Sequence, residues 1–300
     1  MTHTSVLLKE TIDGLNIQPG DTFVDCTLGD GGHSVEVVTR FGNEVTIIGI
    51  DRDENSIAQA KEKLDSVHAN PQNIFLKLGN FRNVDQVLHS CGFGEADRFL
   101  FDIGLSSRQI EESGRGFSFQ KNEPLLMTFE KSKETGVTAR EIVNEWAEEN
   151  LATVIKGFGE EKFAGKIAKG IVMARKVKTI ETTSDLVEII MKSTPFFYHH
   201  GRIHPATRTF QALRIAVNDE LGAISAGLKE AWKLLSPKGR IAVISFHSLE
   251  DRIVKQYFNE LKLTENAQVI TKKPITATEE EINLNPRSRS AKLRIIEKIV

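Results

Sequence analysis

Three acidic residues each follow an apolar stretch of the sequence and could take part in chemistry: Asp25, Asp51 and Asp102. The turn after Asp25 contains three glycines, Gly29, Gly31 and Gly32. Glycine lets the backbone approach a ligand closely, and an acid at the tip of the following strand can accept hydrogen bonds from both hydroxyls of a ribose. A strand, a glycine turn, a helix and a strand-end acid together predict a nucleoside-binding half-site.

Two cofactors compete for this glycine turn. A dinucleotide site requires Gly-x-Gly-x-x-Gly, and here Gly29 and Gly31 match the first two positions while Ser34 occupies the third. Asp30 adds a negative charge that is unfavourable beside a pyrophosphate. The same charge is compatible with the sulfonium and ammonium groups of S-adenosylmethionine. The turn therefore favours S-adenosylmethionine over NAD.

Asp102 and His247 are the candidate catalytic residues. Methyl transfer from a sulfonium depends mainly on positioning, but the exocyclic amine of a base is a poor nucleophile because its lone pair is delocalised. A carboxylate that accepts a hydrogen bond from the amine would localise that pair and could take the proton. Asp102 suits this role because it follows a buried strand, and His247 is a weaker candidate that could equally cap the following helix. Phe81, at another strand end, is expected either to pack on an adenine ring or to belong to the core.

The elements that would position these residues alternate between strand and helix. Strands are predicted at 22–26, 45–50, 74–78 and 98–103, and helices at 34–41, 54–65 and 83–89. Such alternation is typical of a parallel sheet covered by helices on both faces. The carboxyl ends of parallel strands meet at one edge, so the three acids are expected to lie near one another.

The alternation is interrupted by a segment that reads as helices. Residues 105–204 are predicted to be an all-helical insertion, with helix starts at Thr138 and Ser184. After Pro205 come an apolar helical stripe, a strand at 240–246, a helix at 249–261, and strands at 267–272 and 292–299 that could pair antiparallel at a sheet edge. The predicted fold is α/β, a Rossmann-like methyltransferase core with about seven mostly parallel strands. Its divisions are 1–104 (core), 105–204 (helical insertion for substrate recognition) and 205–300 (core).

Composition narrows the class of protein. The 300 residues carry a net charge of −2, so attraction to nucleic acid must come from local patches. Two cysteines without a C-x-x-C spacing argue against a disulfide framework or a zinc site. Neither a signal peptide nor an apolar run of membrane-spanning length is visible, which predicts a cytoplasmic protein.

Three stretches hold basic residues and no acid, at 162–178, 199–214 and 287–294. Together they suggest a path for a polyanion such as RNA. The arginines predicted to contact RNA are Arg202, Arg208, Arg214, Arg287 and Arg289. Phe117 and Phe119 are predicted to stack on an extruded base. Histidines at 199, 200 and 204 lack a neighbouring carboxylate or cysteine, so no metal is expected.

Longer motifs carry a specific resemblance. They are His3-Thr-Ser-Val-Leu-Leu8, Gly31-Gly-His33, Asp51-Arg-Asp53, Asp102-Ile-Gly-Leu-Ser-Ser107, Arg115-Gly-Phe-Ser-Phe119, His204-Pro-Ala-Thr-Arg-Thr-Phe-Gln211, Ser245-Phe-His-Ser-Leu-Glu-Asp-Arg252 and Asn285-Pro-Arg-Ser-Arg-Ser290. From His3 to about Lys298 the chain resembles the MraW family, also called RsmH.

The resemblance implies a function and a set of site residues. The family methylates N4 of a cytidine in the decoding region of 16S ribosomal RNA, using S-adenosylmethionine, and has a Rossmann-like core with a helical insertion. It implies cofactor contacts at Gly31, Gly32, His33, Asp51, Phe81, Asp102 and Gln109. The expected partner is small-subunit ribosomal RNA within an assembled or nearly assembled subunit, and a homodimer is left open.

The chain departs from the family pattern after Pro124. The usual Pro-Leu-Asp-Met-Arg-Met-Asp reads Pro-Leu-Leu-Met-Thr-Phe-Glu here, so that Leu126 replaces an acid and Thr128 replaces an arginine. The segment after Asp102 also lacks the Pro-Pro of many amino-methyltransferases, so the activating role of Asp102 is a hypothesis. Two other interpretations remain, an NAD-dependent oxidoreductase and a non-catalytic RNA-binding or ribosome assembly factor.

Overall fold

The computed structural model describes residues 5–104, 113–129, 137–201 and 203–300. The chain forms two compact units, Met1–Gly104 with Leu221–Val300 (the sheet unit) and Leu105–Glu220 (the helical unit). The sequence prediction put the second boundary at 204, whereas the helix Thr207–Asn218 belongs to the helical unit. Its side chains Phe210 and Leu213 are part of the apolar core of that unit.

The described part of the sheet unit contains a seven-stranded sheet. Its strands are β1 (Thr22–Asp25), β2 (Thr46–Asp51), β3 (Ile74–Leu78), β4 (Ala96–Ile103), β5 (Leu235–Ser245), β6 (Ala267–Val269) and β7 (Lys292–Lys298). Their order is β3-β2-β1-β4-β5-β7-β6. Strands β1 to β5 are parallel, and β7 is antiparallel to both β5 and β6. The predicted mostly parallel sheet with an antiparallel edge is therefore confirmed.

The helices occur in both units. In chain order they are α1 (Leu8–Leu15), α2 (Gly32–Phe41), α3 (Glu54–Ser66), α4 (Val84–Ser90), α5 (Ala139–Glu145), α6 (Glu148–Gly159), α7 (Ala164–Arg175), α8 (Thr183–Ser193), α9 (Phe196–His199), α10 (Thr207–Asn218), α11 (Glu220–Leu234), α12 (Ser248–Thr264) and α13 (Glu279–Leu284). Over the residues described, none of the helices combines the length and the apolar character that crossing a membrane requires.

Apolar residues cover both faces of the sheet. On β1, Phe23 and Val24 point to opposite faces, and each belongs to a different buried cluster. This two-sided burial explains why the strands read as continuous apolar runs rather than as alternating patterns. Helix α1, which the sequence analysis did not predict, buries Ile12 and Leu15 in the same cluster as Phe23.

Helix caps account for the starts of two helices in the helical unit. Thr138 caps α5, and its hydroxyl and the Glu141 carboxylate satisfy one another's backbone N–H groups, as the predicted start requires. The N-cap of α8 lies two residues before the predicted Ser184. The reason is that Thr182, rather than the serine, accepts the hydrogen bond from the backbone N–H of Asp185.

Candidate active site

The glycine turn between β1 and α2 depends on backbone conformations and spaces that suit glycine. Gly29 and Gly31 have φ values of 51° and 78°, in the left-handed region. A Cβ atom at Gly31 would lie 2.9 Å from the Cβ of Ala60, and one at Gly32 would collide with the side chain of Ser5. The turn is thus closely packed on neighbouring segments, and α2 starts directly from it.

Asp51 ties the end of β2 to the glycine turn. Its Oδ2 accepts a hydrogen bond from the backbone N–H of Gly29 at 2.9 Å, and its Oδ1 accepts one from the N–H of Asp53 at 2.8 Å. Burial is the largest cause of a raised pKa for this carboxyl, and these hydrogen bonds oppose it. The structure therefore brings the acid and the glycine turn together, as the sequence spacing predicts.

Asp25 is a buried acid at the end of β1, to which the sequence analysis assigned neither a catalytic nor a cofactor-binding role. Its side chain is 1% exposed, and its Oδ2 accepts a hydrogen bond from the Ser34 hydroxyl at 2.8 Å. Burial raises the pKa of Asp25 to about 6. The sequence signal was present, because Asp25 follows an apolar strand in the same way as Asp51 and Asp102.

Asp102 lies at the end of β4, and its surroundings disfavour its charge. Its backbone N–H donates to the hydroxyl of Thr27 at 2.6 Å, and its Oδ2 is 3.9 Å from Nδ1 of His33. Its Oδ1 is buried and has no hydrogen-bond partner among the described residues. Burial, followed by the negative charges of Asp25 and Glu250, raises the pKa of Asp102 to about 8. Once ionised, a carboxyl with such a raised pKa is a strong proton acceptor.

This raised pKa predicts how stability depends on pH. Between the ordinary value of 3.8 and about 8, the folded protein binds this proton more tightly than the unfolded chain. The contribution of Asp102 to stability therefore falls as pH rises through that window. We expect the stability advantage of Asp102→Asn, a neutral isostere, over wild type to be larger at pH 9 than at pH 5 by about 4 kcal/mol.

Urea unfolding at the two pH values measures this difference. Glu62→Gln, at an exposed acid on α3, serves as the control and should show no such change between the two pH values. A stability difference between Asp102→Asn and wild type that is the same at pH 5 and pH 9 would contradict the prediction.

His247 caps α12. Its Nδ1 accepts a hydrogen bond from the backbone N–H of Glu250 at 3.4 Å, and Oε2 of Glu250 accepts one from the N–H of His247 at 3.1 Å. The other ring nitrogen, Nε2, lies 3.0 Å from Oε1 of Glu250, whose side chain is 1% exposed. The capping interpretation is observed, and transfer of a proton to His247 stays a prediction.

The remaining candidate cofactor residues differ in their surroundings. His33 is buried on α2 and faces Asp102 at the distance given above. Phe81 is half-buried, and its ring meets Phe101 edge-on with centroids 5.6 Å apart. It also packs against α11, since a Cβ at Gly227 would lie 2.7 Å from the Phe81 ring. Gln109 lies outside the described residues.

The two phenylalanines predicted to stack on RNA are in contact with protein rings in the helical unit. Phe117 is 8% exposed and stacks on Phe129 with centroids 5.6 Å apart. Phe119 stacks on His204 at 4.7 Å and meets Phe210 edge-on at 5.4 Å. Stacking on a base would require Phe117 to leave this core, and the base-stacking prediction remains untested.

The predicted RNA-binding arginines have different surroundings. Arg208 donates to the backbone carbonyl of Glu160 at 3.3 Å. Arg214 makes two hydrogen bonds of 2.8 Å to the Glu220 carboxylate. This paired geometry leaves fewer N–H groups of the guanidinium for phosphate. Arg289 is exposed and Arg287 half-buried, while Arg202 lies outside the described residues.

The segment that departs from the family pattern is held by contacts within the helical unit. Met127, between Leu126 and Thr128, adopts a left-handed backbone with φ of 57°, and its N–H donates to the carbonyl of Arg115 at 2.7 Å. The amide of Asn218 accepts from the N–H of Phe129 at 2.9 Å and donates to the carbonyl of Met127 at 2.7 Å. These contacts fix the backbone without an acid–arginine pair at 126 and 128.

The sheet order, the glycine turn and the strand-end carboxylates define the class of Rossmann-like methyltransferases. A model of the MraW methylase family matches residues 1–299. Proteins named ribosomal RNA small subunit methyltransferase H are similar along their whole length. That of Symbiobacterium thermophilum is 45% identical and covers 99% of this chain and 96% of its own. That of a Sulfurihydrogenibium species is 47% identical and covers 98% of each chain.

Among solved structures, a rRNA methylase from Streptococcus thermophilus is 9% identical, covers 100% of both chains and has a TM-score of 0.47. The family assignment rests on the family model and the sequence relatives: this chain belongs to the MraW methylase family. Membership favours methyl transfer over the hydride transfer that a Rossmann fold could also support.

Proposed function

We propose that this chain methylates the N4 amine of a cytidine in the decoding region of 16S ribosomal RNA, with S-adenosylmethionine as the methyl donor. The observation that carries the proposal is Asp102, a strand-end carboxyl whose buried Oδ1 has no hydrogen-bond partner within the described part of the chain and whose pKa is about 8. The relatives named ribosomal RNA small subunit methyltransferase H support the choice of RNA. The proposed substrate state is an assembled or nearly assembled small subunit in the cytoplasm.

The residues at the strand ends fit S-adenosylmethionine. The Asp51 carboxylate, held by two backbone N–H groups, retains acceptor capacity for the hydroxyls of a ribose. The turn at Gly31 and Gly32 lets the backbone approach the ligand. Asp30 lies 3.7 Å from Lys63, so its negative charge is partly balanced. The remaining negative charge of Asp25 and Asp102 suits a ligand that carries a sulfonium.

The chemistry follows from this arrangement. When bound, S-adenosylmethionine supplies a methyl group on a positively charged sulfur. The ionised Asp102 would accept a hydrogen bond from the N4 amine and increase the electron density on that nitrogen as it attacks the methyl carbon. The same carboxylate would then take the proton that the positively charged, methylated nitrogen releases. The remaining residues act mainly by positioning.

Methyl transfer to ribosomal particles tests the proposal. Small subunits lacking the modification would be incubated with the protein and labelled S-adenosylmethionine, and their nucleosides separated by mass. The expected product is N4-methylcytidine, and subunits that already carry the modification serve as the control. Label on another nucleoside would reject the proposed target. The protein could also be folded and bind the cofactor, yet label neither free 16S RNA nor subunits. That result would favour a non-catalytic RNA-binding factor.

A further inference from the structure

The helical unit displays two adjacent phenylalanines to solvent. Phe196 and Phe197 form the start of α9 and are 75% and 68% exposed. Single exposed apolar residues are common, but two consecutive phenylalanines at this exposure suggest a binding surface. Neither residue was among the candidates taken from the sequence.

Two side-chain contacts fix α9, the short helix that carries these rings. The hydroxyl of Tyr198 donates to Oε2 of Glu161 at 2.6 Å, and the Glu161 side chain is itself buried. The buried hydroxyl of Thr194 lies 3.0 Å from Nε2 of His199. Since both contacts fix α9, the backbone that carries the two exposed rings is in place before any ligand arrives, which lowers the entropy cost of binding.

Lysines lie beside the rings. The Nζ of Lys162 is 5.9 Å from the ring centre of Phe197 and 5.1 Å from that of Phe163. The Nζ of Lys166 is 5.8 Å from the Phe163 ring, and both lysines are exposed. We call Lys162, Phe163, Lys166, Phe196 and Phe197 the aromatic–lysine surface.

We infer that the aromatic–lysine surface binds a single-stranded RNA segment, with bases stacked on Phe196 and Phe197 and phosphates beside Lys162 and Lys166. The inference rests on the proposed function insofar as RNA is the substrate. Rings with adjacent cations are the combination by which proteins hold single strands, because every base has a face to stack and every nucleotide a phosphate. The acid-free sequence from 162 to 178 favours this polyanion over a protein partner.

Binding of a fluorescent, unstructured oligoribonucleotide of about 12 nucleotides, followed by anisotropy at several salt concentrations, tests the inference. Phe196→Ala/Phe197→Ala is expected to weaken binding by about ten-fold or more without changing the salt dependence. Phe196→Tyr/Phe197→Tyr should retain the affinity, since a tyrosine ring also stacks. Lys162→Gln/Lys166→Gln should weaken binding and reduce the slope of log K against log salt by about 0.7 per lysine.

Two control variants in the sheet unit match these changes. Leu263→Ala/Leu284→Ala removes side chains that are 84% and 82% exposed, and Lys255→Gln/Lys262→Gln removes two exposed lysines of α12. Thermal unfolding confirms that each variant is folded. Wild-type affinity in the phenylalanine variant would overturn the inference, as would an equal loss in the leucine control. A phenylalanine variant that binds the oligonucleotide normally but no longer binds intact subunits would also overturn the inference. The partner of this surface would then be a ribosomal protein.

Methylation of small subunits by the wild-type protein is measured alongside. Failure to methylate, with oligonucleotide binding that depends on Phe196 and Phe197, would reject the proposed function and retain the binding surface. Normal methylation, with oligonucleotide binding that does not depend on them, would reject the surface and retain the function.

Discussion

Asp102→Ala is expected to lower kcat for methyl transfer by about 10²–10⁴-fold at saturating S-adenosylmethionine. The reason is the loss of the group proposed to accept a hydrogen bond, and then a proton, from the amine. Saturating cofactor separates this effect from any change in cofactor affinity. Single-turnover transfer of labelled methyl to small subunits measures it.

The pH dependence and a second substitution sharpen that experiment. Since the ionised carboxylate is the acceptor, wild-type kcat should rise with pH through the pKa of Asp102, which is about 8 in the free protein and lower once the positively charged cofactor is bound. Asp102→Asn keeps an oxygen that can accept a hydrogen bond but cannot take the proton, so it should be slow and lack this rise. Glu62→Ala, at an exposed acid of α3, is the control. Unchanged turnover in both Asp102 variants, with intact cofactor binding, would exclude Asp102 as the activating residue.

Asn218→Ala is expected to lower the free energy of unfolding by about 3 kcal/mol. The Asn218 side chain is 8% exposed and hydrogen-bonds the backbone N–H of Phe129 and the carbonyls of Met127 and Arg214. Alanine provides none of these partners, and each buried backbone group left without one costs about 1–3 kcal/mol. Urea unfolding of wild type and variant measures the difference.

An exposed asparagine provides the comparison for Asn218. Asn259→Ala, on the exposed side of α12, should change the free energy of unfolding by no more than about 0.5 kcal/mol. If Asn218→Ala cost no more than Asn259→Ala, the segment from 124 to 129 would not depend on this amide. Another contact would then have to stabilise the sequence around Leu126 and Thr128.

The strand-end acids could be predicted from the sequence because each follows an apolar run, and such runs indicate buried strands. Asp51 and Asp102 were found in this way, and Asp25 carries the same signal. Glu250 does not carry this signal, because it lies within a helix. It affects the site through its negative charge, which is one of the causes of the raised pKa of Asp102. The hydrogen bond from Asp102 to Thr27 joins residues 75 positions apart, and no local pattern encodes such a contact.

In the helical unit, the exposure of aromatic rings depends on contacts that local patterns do not encode. Phe117 and Phe119 lie among glycine and serine, and their rings stack on Phe129 and His204. Conversely, Phe196 and Phe197 read as ordinary apolar residues, and only the structure shows their exposure. The segment around Leu126 and Thr128 is hydrogen-bonded by Asn218, which lies 89 positions beyond Phe129.

The crowding of carboxyl groups around Asp102 has a consequence for how ligand binding and protons are linked. Asp25 and Asp102 have pKa values of about 6 and about 8, so near neutral pH the two groups hold part of their protons. A positively charged ligand placed beside them lowers both pKa values and drives those protons into solution. By thermodynamic reciprocity, such a ligand binds more tightly as pH rises, whereas a neutral product left after methyl transfer would not share this dependence. The protein can thus favour a charged donor over its spent, uncharged form through proton release alone.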